Sequence, residues 1–208
     1  MSQAERSPAL LLLGPTGAGK SPLGQVLETR GFQGARCVHF DFGANLRRLA
    51  EADTRSLLSR ADLDVLHEVL RTGALLEDRQ FPIAERIVRS FLARSGADRR
   101  TVVALNGLPR HVGQAAGVDR ILEIRLLVNL DCSGQTVLER IRSDIGGDRA
   151  GRMDDDGESV RKKLALFAAR TAPLLDHYRG LGVRIETVEV TPRTTAEEVW
   201  EQLDHRGE

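Results

Sequence analysis

Residues 14–21 read Gly-Pro-Thr-Gly-Ala-Gly-Lys-Ser and match the phosphate-loop pattern G-x-x-x-x-G-K-[ST]. The apolar run 9–13 precedes them and predicts a buried strand, and residues 23–29 predict a short helix. In this order, backbone N–H groups of the glycine loop and the helix N-terminus attract phosphate. We therefore predict a nucleotide site in which Lys20 reaches the β and γ phosphates and Ser21 ligates Mg²⁺. Its residues would be Gly14, Thr16, Gly17, Ala18, Gly19, Lys20 and Ser21.

The composition predicts one globular domain without a strong electrostatic partner preference. The chain has 208 residues, and 30 Lys and Arg balance 30 Asp and Glu. A net charge of zero gives no general attraction to nucleic acid or to an anionic membrane. Cys37 and Cys132 are too few for a four-cysteine zinc site or a disulfide framework. No targeting segment or membrane span is visible, so we expect a cytoplasmic protein and, by default, a monomer.

Apolar periodicity predicts an α/β fold. Strands are expected at 9–13, 37–40, 101–105, 121–130 and 183–190. Helices are expected at 23–29, across 62–95, and at 133–142, 159–181 and 196–203, and residues 41–50 predict a loop that runs into a helix. Pro173 should bend the long helix 159–181. Strands that alternate with helices imply a five-stranded parallel sheet covered on both faces, a three-layer α/β/α sandwich of the P-loop NTPase type. Ligands then bind beyond the carboxyl ends of the strands, where the glycine loop, Asp41, Asn106 and Asp131 fall.

Four further segments carry a family resemblance. Residues 43–47 resemble a G-D-x-L-R segment, and residues 106–110 resemble D-G-[FY]-P-R, with Gln114 following at the same spacing. Residues 151–155 resemble G-R-x-D-D, and residues 171–178 resemble a stretch near the end of a long helix. With the phosphate loop, and in this order, the chain resembles the adenylate kinase family of nucleoside monophosphate kinases, in its short-lid form.

The resemblance implies transfer of the γ-phosphoryl of Mg-ATP to AMP or a related nucleoside monophosphate, giving two diphosphates. It implies a helical acceptor-nucleotide insert at about 42–95 and a short lid at 143–157. Arg47 and Arg110 would hold the acceptor phosphate in a site that includes Gly43 and Gly107, and Gln114 would read the acceptor base. Arg140 would lie against the ATP base. The residues implied in catalysis are Lys20, Arg110, Arg152 and Lys163.

The chain departs from the family pattern at several positions. Asn106 replaces an aspartate that holds Mg²⁺ through water, and Phe42 replaces a threonine near the acceptor base. Lys163 stands where the family has an arginine, and lysine supplies charge without the guanidinium fork. Asp144 falls where a second lid arginine is usual, which leaves Arg149 as the candidate for that role.

These departures leave two other functions open. Asp41 after a strand resembles shikimate- and gluconate-type kinases, in which a carboxylate there serves the metal or a hydroxyl acceptor. Alternatively, Asn106 and Lys163 would belong to a nucleotide-binding protein that has lost catalysis. We interpret Asp131 as a helix cap rather than as a Walker B carboxylate, because residues from Ser133 onward are predicted to be helical.

Overall fold

A computed structural model of the chain describes residues 6–51, 57–147 and 157–205. These residues form a five-stranded sheet with every neighbouring pair parallel. Its strands are β1 (Ser7–Leu13), β2 (Cys37–Asp41), β3 (Val102–Asn106), β4 (Leu122–Asp131) and β5 (Arg184–Glu189). The spatial order is β2-β3-β1-β4-β5, which confirms the predicted parallel sheet.

Helices connect the strands. They are α1 (Lys20–Arg30), α2 (Phe42–Glu51), α3 (Arg60–Thr72), α4 (Phe81–Ser95), α5 (Val112–Asp119), α6 (Gly134–Ser143), α7 (Gly157–Leu166), α8 (Leu174–Gly180) and α9 (Ala196–His205). Between α3 and α4, Gly73 in the left-handed conformation ends one helix, and Pro82 lies in the first turn of the next.

The core lies on both faces of the sheet, because alternate side chains of a strand point to opposite sides. From β1, Leu11 and Leu13 pack into a cluster with residues of α2, α3, α4, α5 and α8. Leu10 and Leu12 pack into a second cluster with residues of α1 and α9. Two apolar layers around a central sheet give the expected three-layer sandwich.

Three local predictions needed correction. Helix α2 begins at Phe42 directly after β2, with no intervening loop. The long helix is interrupted before Pro173 by a π turn at Phe167–Thr171, since proline cannot donate the regular helical hydrogen bond. The cap of α6 is Ser133, whose hydroxyl accepts the N–H of Thr136, so the capping role predicted for Asp131 is wrong. Within the described residues, no helix is both long and apolar enough to cross a membrane.

Candidate active site

The loop between β1 and α1 depends on glycine geometry. Gly17 and Gly19 have φ angles of 77° and 100°, in the left-handed region that side chains disfavour. A β-carbon on Gly17 would also lie 3.1 Å from Ile141. The Lys20 ammonium donates to the carbonyl oxygens of Gly14 at 2.7 Å and Pro15 at 2.6 Å. The loop therefore holds its lysine close to its own backbone, at the start of α1.

Asp41, Asn106 and Ser21 meet at the carboxyl edge of the sheet. Asp41 and Asn106 are register partners at the ends of β2 and β3. The Ser21 hydroxyl donates to Asp41 Oδ2 at 2.7 Å, and the Asn106 amide donates to the same oxygen at 2.9 Å. The Asn106 amide also lies 3.0 Å from Ser21 Oγ, to which it donates. Two strands and the phosphate loop thus share one hydrogen-bonded cluster.

Asp41 is ionised at neutral pH. Its partial burial tends to raise the pKa of the carboxyl. Hydrogen bonds from the Ala44 N–H and the Ser21 hydroxyl, together with the nearby Arg47, outweigh burial and lower that pKa below its usual value. Sequence reasoning offered Asp41 only as an alternative. The structure places it beside the predicted metal ligand Ser21.

The phosphate loop faces a cleft of about 270 Å³. Arg47, Arg110 and Lys163 line it together with Lys20, and Gly43 and Gly107 lie along its wall. Within the described ranges, no carboxylate pairs with the Arg110 guanidinium, and burial lowers its pKa. Arginine stays charged even so, so the cleft contains a desolvated cation suited to an anionic ligand.

The structure separates the three basic residues at positions 161–163. Arg161 and Lys162 are exposed, and Lys162 pairs with Glu158 on the helix surface. Lys163 is half-buried and lines the cleft. Arg152, which was also predicted to act in catalysis, lies outside the described residues, as does Arg149.

Gln114 does not line the cleft. Its side chain is buried, donates to the Leu76 carbonyl at 2.7 Å and accepts the Arg110 N–H at 2.8 Å. In this conformation the amide therefore joins α5 to the segment before α4. To hydrogen-bond an acceptor base, the Gln114 amide would have to release the Leu76 carbonyl. Recognition of the base by Gln114 therefore stays a prediction.

Arg140 is buried under the phosphate loop. It donates to the carbonyl oxygens of Gly17 at 3.0 Å and of Thr191 and Thr194 at 2.8 Å each. With Ala18 it lines a second cavity of about 650 Å³. The side chain thus ties the phosphate loop to the segment between β5 and α9, and its contact with a base stays a prediction.

A glycine loop at the carboxyl edge of a parallel sheet, facing a cationic cleft, is the arrangement of an ATP-dependent phosphotransferase. Comparison with known proteins identifies the family to which the chain belongs. The chain is 30% identical over 184 residues to an adenylate kinase of Prochlorococcus marinus (strain MIT 9211), covering 85% of this chain and 86% of that protein. It is 33% identical over 185 residues to that of Synechococcus sp. (strain CC9311), with 86% and 88% covered.

An adenylate kinase of Xanthomonas campestris pv. campestris (strain 8004) is 34% identical over 187 residues, covering 86% of this chain and 90% of that protein. No family model matches the chain. Identity at this level over most of both chains shows that this protein belongs to the adenylate kinase family.

Proposed function

We propose that this enzyme transfers the γ-phosphoryl group of Mg-ATP to AMP and releases two nucleoside diphosphates. The observation that carries the proposal is the Arg110 guanidinium, which shares the cleft with Lys20 and has no carboxylate partner among the described residues. Lys20 then serves the donor phosphates, and Arg110 serves the acceptor phosphate. The relatives named adenylate kinase support AMP as the acceptor.

The roles follow from position and charge, because phosphoryl transfer needs alignment and charge neutralisation more than covalent help. Lys20 and the backbone of residues 14–21 bind the donor phosphates. Arg47 and Arg110 orient the acceptor phosphate, and Lys163 adds charge between the two groups. The cavity beside Arg140 accommodates the donor base.

Ser21 would hold Mg²⁺, whose preference for oxygen ligands suits the hydroxyl and carboxylate found there. The bound ion would neutralise charge on the phosphates. Asn106, with a neutral side chain, is a weaker contributor than the aspartate that it replaces.

The segments around the cleft complete the proposal. As the resemblance implies, residues 42–95 would form the acceptor-nucleotide insert and residues 143–157 a short lid; residues 148–156, with Arg152, lie outside the described residues. Closure of the lid over the cleft would exclude water and suppress ATP hydrolysis. We expect a cytoplasmic monomer, since one chain provides both halves of the cleft, and sedimentation velocity checks the oligomeric state.

A coupled assay with Mg-ATP tests the function over AMP, CMP, UMP, GMP and dAMP. We expect the highest kcat/KM with AMP and formation of two diphosphates for each turnover. ATP consumption without any phosphorylated acceptor would contradict the proposal. A crystal structure with diadenosine pentaphosphate (Ap5A) then tests the geometry, because the analogue should extend from Lys20 to Gln114.

A further inference from the structure

The residues at the proposed metal site differ in this chain from the family pattern. The family's aspartate at the end of β3 is the neutral Asn106 here, and Asp41 at the end of β2 places a carboxylate 2.9 Å from the Asn106 amide. We propose that Asp41 supplies the anionic charge of the Mg²⁺ site in place of a carboxylate at position 106, and that Asn106 holds Asp41 in position. This inference rests on the proposed use of Mg-ATP.

The first argument is the direction of the Ser21 hydroxyl proton. Ser21 donates its one proton to Asp41 Oδ2, and its oxygen accepts from the Asn106 amide. A hydroxyl oxygen has two acceptor positions, so one remains for a cation. Because an amide N–H cannot accept, the cluster fixes Ser21 as a donor to Asp41 and keeps its remaining lone pair available.

The second argument is the number of acceptor positions on Asp41. Oδ2 accepts from Ser21 and Asn106, and Oδ1 accepts the Ala44 N–H at 2.8 Å. Each carboxylate oxygen accepts about two hydrogen bonds, so the described contacts leave one position on Oδ1. That count favours a contact through a metal-bound water over direct ligation, and outer-shell carboxylates of this kind strengthen metal binding.

The third argument is the charge balance of the cleft. Among the described residues that line it, Asp41 is the only carboxylate, whereas Lys20, Arg47, Arg110 and Lys163 are cations. A divalent cation would meet repulsion from these four groups. Asp41 is the group that can offset this repulsion beside Ser21, since Asn106 carries no charge.

The test measures Mn²⁺ binding by electron paramagnetic resonance in the presence of a non-hydrolysable ATP analogue and without any acceptor. Asp41→Asn keeps the shape of the side chain and should weaken Mn²⁺ binding by about 10–100-fold. The matched control is Asp176→Asn, which removes an exposed carboxylate on α8 and should leave Mn²⁺ affinity unchanged. The double variant Asp41→Ser/Asn106→Asp returns the charge to β3 and should recover most of the lost affinity.

Two results would overturn the inference. Unchanged Mn²⁺ affinity in Asp41→Asn would show that Asp41 does not supply the charge of the metal site, and an accompanying collapse of kcat would make Asp41 a general base for a hydroxyl acceptor. Loss of affinity in Asp41→Asn without recovery in the double variant would show that a carboxylate at position 106 cannot replace Asp41, which would overturn the inferred exchange of charge between β3 and β2. Circular dichroism verifies that each variant is folded. If Asp41→Asn alone unfolds, the double variant, which keeps the net charge of the cluster, still tests whether the carboxylate can act from β3. Failure of the proposed function is a separate result, seen as absence of phosphoryl transfer in the unmodified enzyme.

Discussion

Under the proposed function, donor binding depends most directly on Lys20. It lies in the phosphate loop and bonds to two carbonyl groups of that loop. We expect Lys20→Met to lower kcat by at least about 100-fold, because removal of one preorganised electrostatic group costs 10²–10³ in rate. Steady-state kinetics with Mg-ATP and AMP measure the change. Lys162→Met is the control, since that lysine is exposed on α7; equal losses in both variants would contradict the assignment.

Asp41 should make stability depend on acid pH. Its pKa is lowered in the folded protein, so the unfolded chain binds the proton first as pH falls. The stabilisation is fully present above the unfolded value of about 3.9 and is lost as pH falls through the lower folded value. Urea unfolding at pH 7 and near pH 3 should show a smaller acid-induced loss for Asp41→Asn than for the unmodified protein. A parallel decline of both proteins would mean that Asp41 is not responsible.

At the scale of elements, Arg140 connects α6 with the phosphate loop and with the segment after β5. Its guanidinium donates three hydrogen bonds to carbonyl groups, two of them from one nitrogen. Lysine cannot reproduce this fork. We expect Arg140→Lys to lower the free energy of unfolding by about 1–3 kcal/mol and to weaken ATP binding. Arg142→Lys, an exposed change on the same helix, should alter neither quantity in urea titration and calorimetry.

The contact between α4 and α5 depends on the absence of a side chain at Gly117. A β-carbon there would lie 2.4 Å from the buried Phe81 ring. Overpacking costs about 1–3 kcal/mol, so Gly117→Ala should lower the unfolding free energy despite alanine's better helix propensity. Gly180→Ala on α8 meets open space and should raise it by up to about 1 kcal/mol. Chemical denaturation measures the change in unfolding free energy for each variant. Stabilisation by both substitutions would contradict the close packing of Gly117 against Phe81.

Most elements could be predicted from the sequence, because buried strands need apolar runs and helices need apolar faces. Local capping was harder: Asp131 and Ser133 both suit a helix start, and only the hydrogen bond to Thr136 identifies Ser133. The hydrogen bond from Gln114 to the Leu76 carbonyl could not be predicted, since the two residues lie 38 positions apart. The Asp41–Asn106 pair also depends on β2 lying beside β3, which sequence order does not specify.

At the scale of the whole molecule, strand order assembles the cleft. Strands β2, β3 and β1 are neighbours, so their carboxyl ends bring Asp41, Asn106 and the phosphate loop to one edge. Helix α2 contributes Arg47, and helix α7 contributes Lys163. The cations of the cleft are therefore distant in sequence and close only in the folded chain.

Occupancy of this cleft should stabilise the entire fold, because ligands that bind only the native state raise its stability. At 100 times its Kd, Mg-ATP adds about 2.7 kcal/mol, which for a chain of this size corresponds to a rise in Tm of roughly 5–11 °C. Ap5A at equal concentration should raise Tm further, since it contacts both halves of the cleft. Differential scanning fluorimetry measures these shifts. Arg110→Met should abolish the extra increment of Ap5A and keep the shift with Mg-ATP, whereas Lys20→Met should reduce both. Equal reduction of both shifts in Arg110→Met would place Arg110 in the donor half and contradict the division of the cleft.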